Sequence, residues 1–127
     1  MFHFDFRSGY HHIDIFEEHQ IYLGFSWTKS GVTSYYSFVV LPFGLSTAGY
    51  IFTKVCRVLV KNWRANGVKI AIFIDDGIGA AGSQEKSKFA SKFVKDSIRR
   101  SGFVTNEEKS DWNPTQLAAW LGLVINT

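Results

Sequence analysis

Two adjacent carboxylates, Asp75 and Asp76, directly follow an apolar run and are the residues of this chain with the clearest potential for chemistry. The run Ala71–Ile74 is typical of a buried strand, and Gly77 is expected to permit the turn that the acidic pair requires. Neighbouring anions repel each other and are costly to desolvate, so the pair needs a cation. Because Mg²⁺ prefers carboxylate oxygens, the segment predicts a metal site at the end of a strand.

A third carboxylate, Asp5, is embedded in aromatic residues near the start of the chain. Three carboxylates suggest a two-metal site for phosphoryl or nucleotidyl transfer, with Mg²⁺ as the cofactor and Mn²⁺ as a substitute. For any one aspartate alone, a role in a turn or cap would be the better interpretation. A phospho-receiver domain is set aside, because its acidic pair follows the first strand and most of the domain comes after it, whereas only 51 residues follow Asp76 here.

The elements that must bring these carboxylates together can be predicted from periodicity and turn signals. Aromatic and β-branched runs predict strands, and Ser46 and Ser83 are candidate N-caps of two long helices. The predicted order is strand 2–6, a hairpin of strands 21–27 and 35–40, helix 46–65, strand 69–74 with its return 77–82, helix 84–100 and strands 103–105 and 120–125. This order predicts an α+β fold in which two long helices pack on one face of an antiparallel sheet.

Composition excludes several classes of protein. The 127 residues are enough for one core, with 46% hydrophobic residues, and the net charge of +3 favours polyanionic partners only weakly. The single cysteine, Cys56, excludes an internal disulfide and a cysteine-based zinc site, and the four histidines fit no ligand spacing. With neither a signal peptide nor a membrane span in sight, an intracellular protein, cytoplasmic or nuclear, with no membrane partner is expected.

Five segments then occur in the order of the palm motifs of reverse transcriptases. They read FDFRSGYHHI, LPFGLSTAGYIFTK, FIDDGIG, GFVTNEEKS and WLGLVI. The chain resembles the reverse transcriptases of long-terminal-repeat and DIRS-type retrotransposons. The resemblance implies a palm of ferredoxin-like (RRM-like) fold over residues 1–127, a single domain from which the fingers and the thumb are absent.

The resemblance assigns catalytic roles to matched residues. Asp5, Asp75 and Asp76 correspond to the metal-binding aspartates, and the backbone carbonyl of Phe6 would be an additional metal ligand. Lys109 corresponds to a lysine that acts as general acid toward the departing pyrophosphate. A surface lysine is the alternative for that position.

The nucleotide-binding residues implied by the resemblance are Phe6, Tyr10, Phe43 and Gly44. Tyr10 would act as an aromatic gate that excludes a ribose 2′-hydroxyl, with a core tyrosine as the alternative. The loop that carries Phe43 and Gly44 would lie under the incoming nucleotide and the template base.

The primer grip implied by the resemblance is Trp120, Leu121 and Gly122, although Trp120 and Leu121 could instead fill the core. Two positions depart from the family's usual pattern. Gly49 replaces a proline, which puts the local loop geometry in question, and Phe73 replaces a tyrosine and lacks its hydroxyl.

A cluster of cations on the second long helix is interpreted as a solvated face and not as a nucleic-acid footprint. Its members are Lys86, Lys88, Lys92, Lys95, Arg99 and Arg100. In the palm arrangement that helix packs away from the catalytic cleft.

The function implied by the resemblance is that of an RNA-directed DNA polymerase that adds deoxynucleoside triphosphates to a primer on an RNA or DNA template. The fingers and thumb of a parent polyprotein would be its intramolecular partners, and the chain alone is expected to be weakly active or inactive. The alternative is a domesticated, non-catalytic palm module that binds protein or nucleic acid. Self-association through an uncovered sheet face is a further possibility.

Overall fold

The computed structural model describes residues 1–127 and has an α+β architecture with antiparallel sheets, as the sequence predicts. Two 3₁₀ turns, Gly9–His12 and Ile21–Leu23, flank a short first helix. The helices and strands are β1 (Phe2–Asp5), α1 (Glu17–Gln20), β2 (Gly24–Lys29), β3 (Val32–Ser37), α2 (Ala48–Ala65), β4 (Lys69–Phe73), β5 (Asp76–Ala80), α3 (Gln84–Arg100), β6 (Leu117–Trp120) and β7 (Leu123–Asn126).

The central sheet contains three antiparallel strands in the order β1-β5-β4. Successive side chains of a strand point to opposite faces, so Phe2 and Phe4 of β1 share one face while Asp5 lies on the other. Helices α2 and α3 both pack against the face that carries Phe2 and Phe4. They are joined there by a hydrogen bond from the Trp63 indole to the Ser97 hydroxyl at 2.9 Å. The prediction of two long helices on one sheet face is therefore confirmed.

The core between the helices and the sheet is aromatic. The ring of Phe4 lies edge-on to Trp63 at 6.0 Å and to Phe6 at 5.5 Å, and it stacks on Trp112 at 5.3 Å. Phe6 in turn lies edge-on to Phe52 of α2 at 5.9 Å. Burial of each of the three phenylalanine rings contributes about 1.5–3 kcal/mol. Their mutual packing holds β1 in the position from which it presents Asp5.

Two glycines of β5 make room for the rings of β1. Phe4 pairs with Gly77 and Phe2 pairs with Gly79. A Cβ added at Gly77 would lie 2.2 Å from the Phe4 Cζ, and one at Gly79 would lie 2.2 Å from the Phe2 Cζ. The sequence-based role of Gly77 as a turn residue is thus wrong. It lies inside a strand and is required because an aromatic ring covers it.

The start of α2 differs from the prediction. The helix begins at Ala48 with Thr47 as its N-cap, and no side chain caps it. Thr47 already has αR backbone angles (φ −89°, ψ −7°), whereas a capping residue needs extended angles to reach the free amides. The N-cap position is thus Thr47 and not Ser46, so the predicted cap at Ser46 is wrong. Ser83, with φ −153° and ψ 158°, does cap α3 and accepts a hydrogen bond from the Lys86 amide.

The apolar residues of α3 predict a buried stripe made of Phe89, Ala90, Phe93, Val94 and Ile98, and the structure buries only part of it. Ala90, Val94 and Ile98 are buried, but Phe89 is 75% exposed and does not belong to the core. Small residues fill the rest of the contact instead, including Ser87 and Ser97 at 2% and 8% exposure. Close approach of α3 to the sheet requires small side chains, which a search for apolar residues overlooks.

The C-terminal strands also differ. Residues 103–105 form only one bridge, Phe6 to Thr105. The single strand predicted over 120–125 is a reversal, because Leu121 and Gly122 have φ of 51° and 76° and connect β6 to β7. Two consecutive positive φ angles are the signature of a type I′ hairpin turn. The other hairpin, β2–β3, turns at Ser30-Gly31 and is tighter than predicted.

Replacement of Gly77 by alanine is expected to destabilise the fold by about 1–3 kcal/mol, because the packed Phe4 ring cannot give way to the new methyl group. Urea denaturation would measure this change. Gly82→Ala is the matched control, since nothing lies within 4 Å of its added Cβ, and it should stay within about 0.5 kcal/mol of the parent. Equal effects of the two substitutions would contradict the ring-over-glycine contact.

Cys56 should resist thiol reagents in the folded chain. Burial, with a smaller contribution from the Asp75 charge, raises the pKa of its thiol to about 12. Reaction with Ellman's reagent at pH 8 should therefore be at least about 100-fold slower in the native chain than in urea, where the thiol pKa returns to about 8.5. Labelling of the native chain at the denatured rate would contradict this placement of Cys56.

Candidate active site

The three predicted carboxylates converge at one end of the central sheet. Asp5 ends β1 and pairs directly with Asp76, the first residue of β5, while Asp75 lies in the turn that precedes it. Oxygen atoms of the three side chains all lie within 4.8 Å of one another, and each side chain is partly exposed. The expected juxtaposition of the N-terminal aspartate with the mid-chain pair is therefore present.

The turn that carries Asp75 has an unusual backbone. Phe73 pairs with Asp76, so the turn consists of Ile74 and Asp75, and Ile74 has a φ of 53°. A β-branched residue in this left-handed region costs about 1–3 kcal/mol, and such strain tends to occur at functional sites. The carbonyl of Asp75 accepts a hydrogen bond from the Phe6 amide at 3.0 Å. That bond ties the strained turn to the end of β1.

A loop after α3 supports Asp5 from the other side. The Asn106 amide donates to the Asp5 carbonyl at 2.8 Å, and the Asp5 amide donates to the Ser110 hydroxyl oxygen at 3.1 Å. The Ser110 hydroxyl donates in turn to the Asn106 carbonyl at 2.7 Å. Sequence reasoning missed these two residues, although both lie in the segment GFVTNEEKS. In the sequence these two residues are distinguished only by their polarity. Polarity does not tell a loop that supports the Asp5 backbone from a loop that is merely solvated.

The electrostatics of the cluster show an excess of negative charge. Burial raises the pKa of the Asp5 carboxyl, and the nearby Lys109 ammonium opposes that rise. The charge of Asp76 and a hydrogen bond with it raise the pKa of Asp5 further, whereas a hydrogen bond with Asn106 lowers it. Lys109 is exposed and lies close enough to influence Asp5. The predicted general acid is thus near the carboxylates.

These residues fit a hard divalent cation. Three carboxylates supply oxygen ligands, and a cation among them would relieve the repulsion between Asp5 and Asp76. The carbonyl oxygen of Phe6 accepts no hydrogen bond from the chain. It is therefore free to act as the additional ligand that the resemblance implies.

Tyr10 and Phe43 lie together at the start of α2. Their rings are 5.0 Å apart, and the Tyr10 ring also packs on Phe52 at 5.1 Å. Phe43 is 63% exposed, and the adjacent Gly44 has a φ of 87°. A Cβ at Gly49 would lie 3.3 Å from the Tyr10 hydroxyl. Tyr10 is thus half-buried against the core while its neighbour presents an aromatic face to solvent.

The predicted primer-grip residues form the tip of the β6–β7 hairpin. Trp120 packs against the small cluster of Met1, Ile78 and Ala118. Ile78 follows Asp76 by two residues on β5, so the two side chains lie on the same face of the sheet. The hairpin therefore packs on the face that carries the carboxylates. Leu121 is 44% exposed and does not fill the core.

The comparisons with known proteins agree with this arrangement. Residues 1–125 match the family model described as reverse transcriptase (RNA-dependent DNA polymerase). The chain belongs to the reverse transcriptase family. No curated protein matches the sequence.

Among solved structures, this reverse transcriptase domain resembles the protease–reverse transcriptase of prototype foamy virus, a selenomethionine-labelled CSH mutant. The two align with a TM-score of 0.82 at 19% identity. The alignment covers 99% of this chain and 16% of the viral chain. At this identity the likeness shows the fold alone. No helix of the domain has the length and apolarity needed to cross a bilayer.

Replacement of Ser110 by alanine should lower the free energy of unfolding by about 1–3 kcal/mol, because the Asp5 amide loses its only partner. Urea denaturation would measure the loss. Ser46→Ala is the control, since Ser46 makes no capping bond, and it should change stability by less than about 0.5 kcal/mol. A neutral Ser110→Ala variant would contradict the supporting role of this loop.

Proposed function

We propose that residues 1–127 are the palm of an RNA-directed DNA polymerase that performs two-metal nucleotidyl transfer. The observation that supports this most directly is the convergence of the Asp5, Asp75 and Asp76 carboxylates within 4.8 Å. It occurs in a chain that matches the reverse transcriptase family over residues 1–125. The same residues without that match would support no more than a divalent cation site.

In this proposal the three aspartates and the Phe6 carbonyl hold two Mg²⁺ ions, for which Mn²⁺ can substitute. The chemistry that bound divalent cations supply is activation of the primer 3′ oxygen and stabilisation of the leaving pyrophosphate. The chain's own contribution is to fix the ligands. Ser110 and Asn106 hold the Asp5 backbone, and the bond between Phe6 and Asp75 holds the turn.

The remaining roles fall to residues around the carboxylates. Lys109 donates a proton to the departing pyrophosphate, which its exposure and its influence on Asp5 allow. Tyr10 is the aromatic gate that stacks on the sugar and excludes a ribose 2′-hydroxyl, and the loop of Phe43 and Gly44 lies under the incoming nucleotide and the template base. Trp120, Leu121 and Gly122 contact the primer from the hairpin on the carboxylate face.

The partners in this proposal are an RNA or DNA template with its primer, a deoxynucleoside triphosphate, and the fingers and thumb of a parent polyprotein of LTR or DIRS type. The chain aligns with only 16% of the foamy virus chain. Positioning of the reactants supplies most of the rate in phosphoryl transfer. The 127 residues alone are therefore proposed to bind metal well and to extend primers poorly.

Isothermal titration with Mn²⁺ tests the proposal. The parent chain should bind the ion, and a double variant with Asp75→Asn and Asp76→Asn should lose at least about tenfold in affinity, because the remaining carboxylate cannot hold a divalent ion alone. The control replaces two exposed acids outside the cluster, Asp14→Asn and Glu17→Gln, and should bind as the parent does. Equal binding by all three chains would contradict the proposal and favour the non-catalytic module.

A further inference from the structure

The positive charge of this chain is concentrated in one segment. The 56 residues from His19 to Ile74 contain no aspartate or glutamate. They contain six cations, Lys29, Lys54, Arg57, Lys61, Arg64 and Lys69. The remaining residues carry eight cations against 11 acids, so they are net negative by three. The net charge of +3 is therefore the sum of a strongly basic middle segment and an acidic remainder.

Three of these cations form a stripe along α2. Lys54, Arg57 and Lys61 are spaced by three and four residues and share one side of the helix, and all are exposed. The buried residues Phe52 and Cys56 face the core from the opposite side. With a rise of 1.5 Å per residue, the stripe runs for about 10 Å along the helix.

The cations of the α2 stripe have no carboxylate partner. The chain has one ion pair, between Lys95 and Glu107. The next cation along α2, Arg64, donates from Nη2 to the Ile70 carbonyl at 2.9 Å and is held against β4. Lys54 lies over the ring of Tyr50, with its Nζ 5.2 Å from the ring centroid. Lys54, Arg57 and Lys61 therefore present uncompensated charge to solvent.

The cations of helix α3 differ from those of α2, because acids lie near some of them. Lys95 on α3 pairs with Glu107 at 2.8 Å, and Arg99 lines a cavity together with Glu107 and Glu108. The helix also contains Glu85 and Asp96 among its own residues. The α3 cations are thus partly neutralised by the fold itself, whereas those of α2 are not.

The α2 stripe lies apart from the candidate active site. Helix α2 covers the sheet face that carries Phe2 and Phe4, and the stripe lies on the solvent side of that helix. Asp5 and Asp76 point from the other sheet face. A ligand bound along the stripe would therefore not occupy the carboxylate cluster.

We propose that the outer face of α2 binds the phosphate backbone of a single-stranded nucleic acid at a site separate from the carboxylates. Unpaired cations on an acid-free segment suit phosphates. Tyr50, 66% exposed at the N-terminal end of the stripe, offers a ring on which a base can stack. This inference goes beyond the proposed function, because it requires neither metal binding nor catalysis.

Fluorescence anisotropy in EDTA tests the proposal. The probes are labelled oligothymidylate and oligouridylate of about 20 nucleotides, a length that exceeds common single-strand site sizes. The variant Lys54→Gln, Arg57→Gln, Lys61→Gln should bind at least about tenfold more weakly. Its plot of log affinity against log salt should be shallower by about 2, because three phosphate contacts are lost. Tyr50→Ala should weaken binding by about fivefold or more.

The control Lys86→Gln, Lys88→Gln, Lys92→Gln removes the same charge from α3 and should weaken binding by less than about threefold. Equal losses in the two triple variants would overturn the proposal, as would an unchanged salt slope. Competition by polyglutamate as strong as that by unlabelled oligonucleotide would overturn it in favour of an acidic protein partner.

The Asp75→Asn, Asp76→Asn variant should bind oligonucleotide in EDTA as tightly as the parent chain. This arm separates the α2 site from the proposed catalytic function, because the double variant loses metal and retains the oligonucleotide. A change in oligonucleotide affinity of about tenfold or more would place the nucleic acid beside the carboxylates, whose charge opposes phosphates, and would overturn the α2 proposal. Thermal unfolding followed by circular dichroism confirms that each variant is folded.

Discussion

The antiparallel pairing of β1 with β5 is the constraint on which the rest of the structure depends. Its register places Asp5 opposite Asp76, and a shift of one residue would point the two carboxylates to opposite faces. The rings of Phe2 and Phe4 help to prevent that shift, because each fits only over a glycine of β5. The same contacts that build the hydrophobic core thus determine where the charged groups meet.

The carboxylate end of the sheet makes an unfavourable contribution to the free energy of folding, and contacts in the remainder of the domain offset it. Repulsion between Asp5 and Asp76 and the left-handed angle at Ile74 each disfavour the folded chain. The aromatic core and the hydrogen bonds of Ser110 and Asn106 with the Asp5 backbone hold the arrangement together. A divalent cation bound among the carboxylates would relieve this repulsion.

The two faces of the central sheet differ in charge and in chemistry. One presents the acidic cluster beside the β6–β7 hairpin, and the other is covered by helices whose outer surfaces are basic. On α3 the basic residues are partly neutralised by Glu107 and Glu108, whereas on α2 they are not. Net charge would not reveal this division, because it depends on which acids the fold brings near which bases.

The sequence by itself determined the α+β class, both long helices and the cap at Ser83, because periodicity and local hydrogen bonding are encoded over short distances. It also identified the three aspartates, because the motifs that carry them can be recognised by their order along the chain. Only the tertiary structure decided the role of Gly77, the exposure of Phe89, the hairpin turn at Leu121 and the support that Ser110 gives to Asp5. The roles of Gly77 and Ser110 depend on residues distant in the chain: the ring of Phe4 explains Gly77, and the end of β1 explains Ser110. Contacts of that kind leave no local pattern to read.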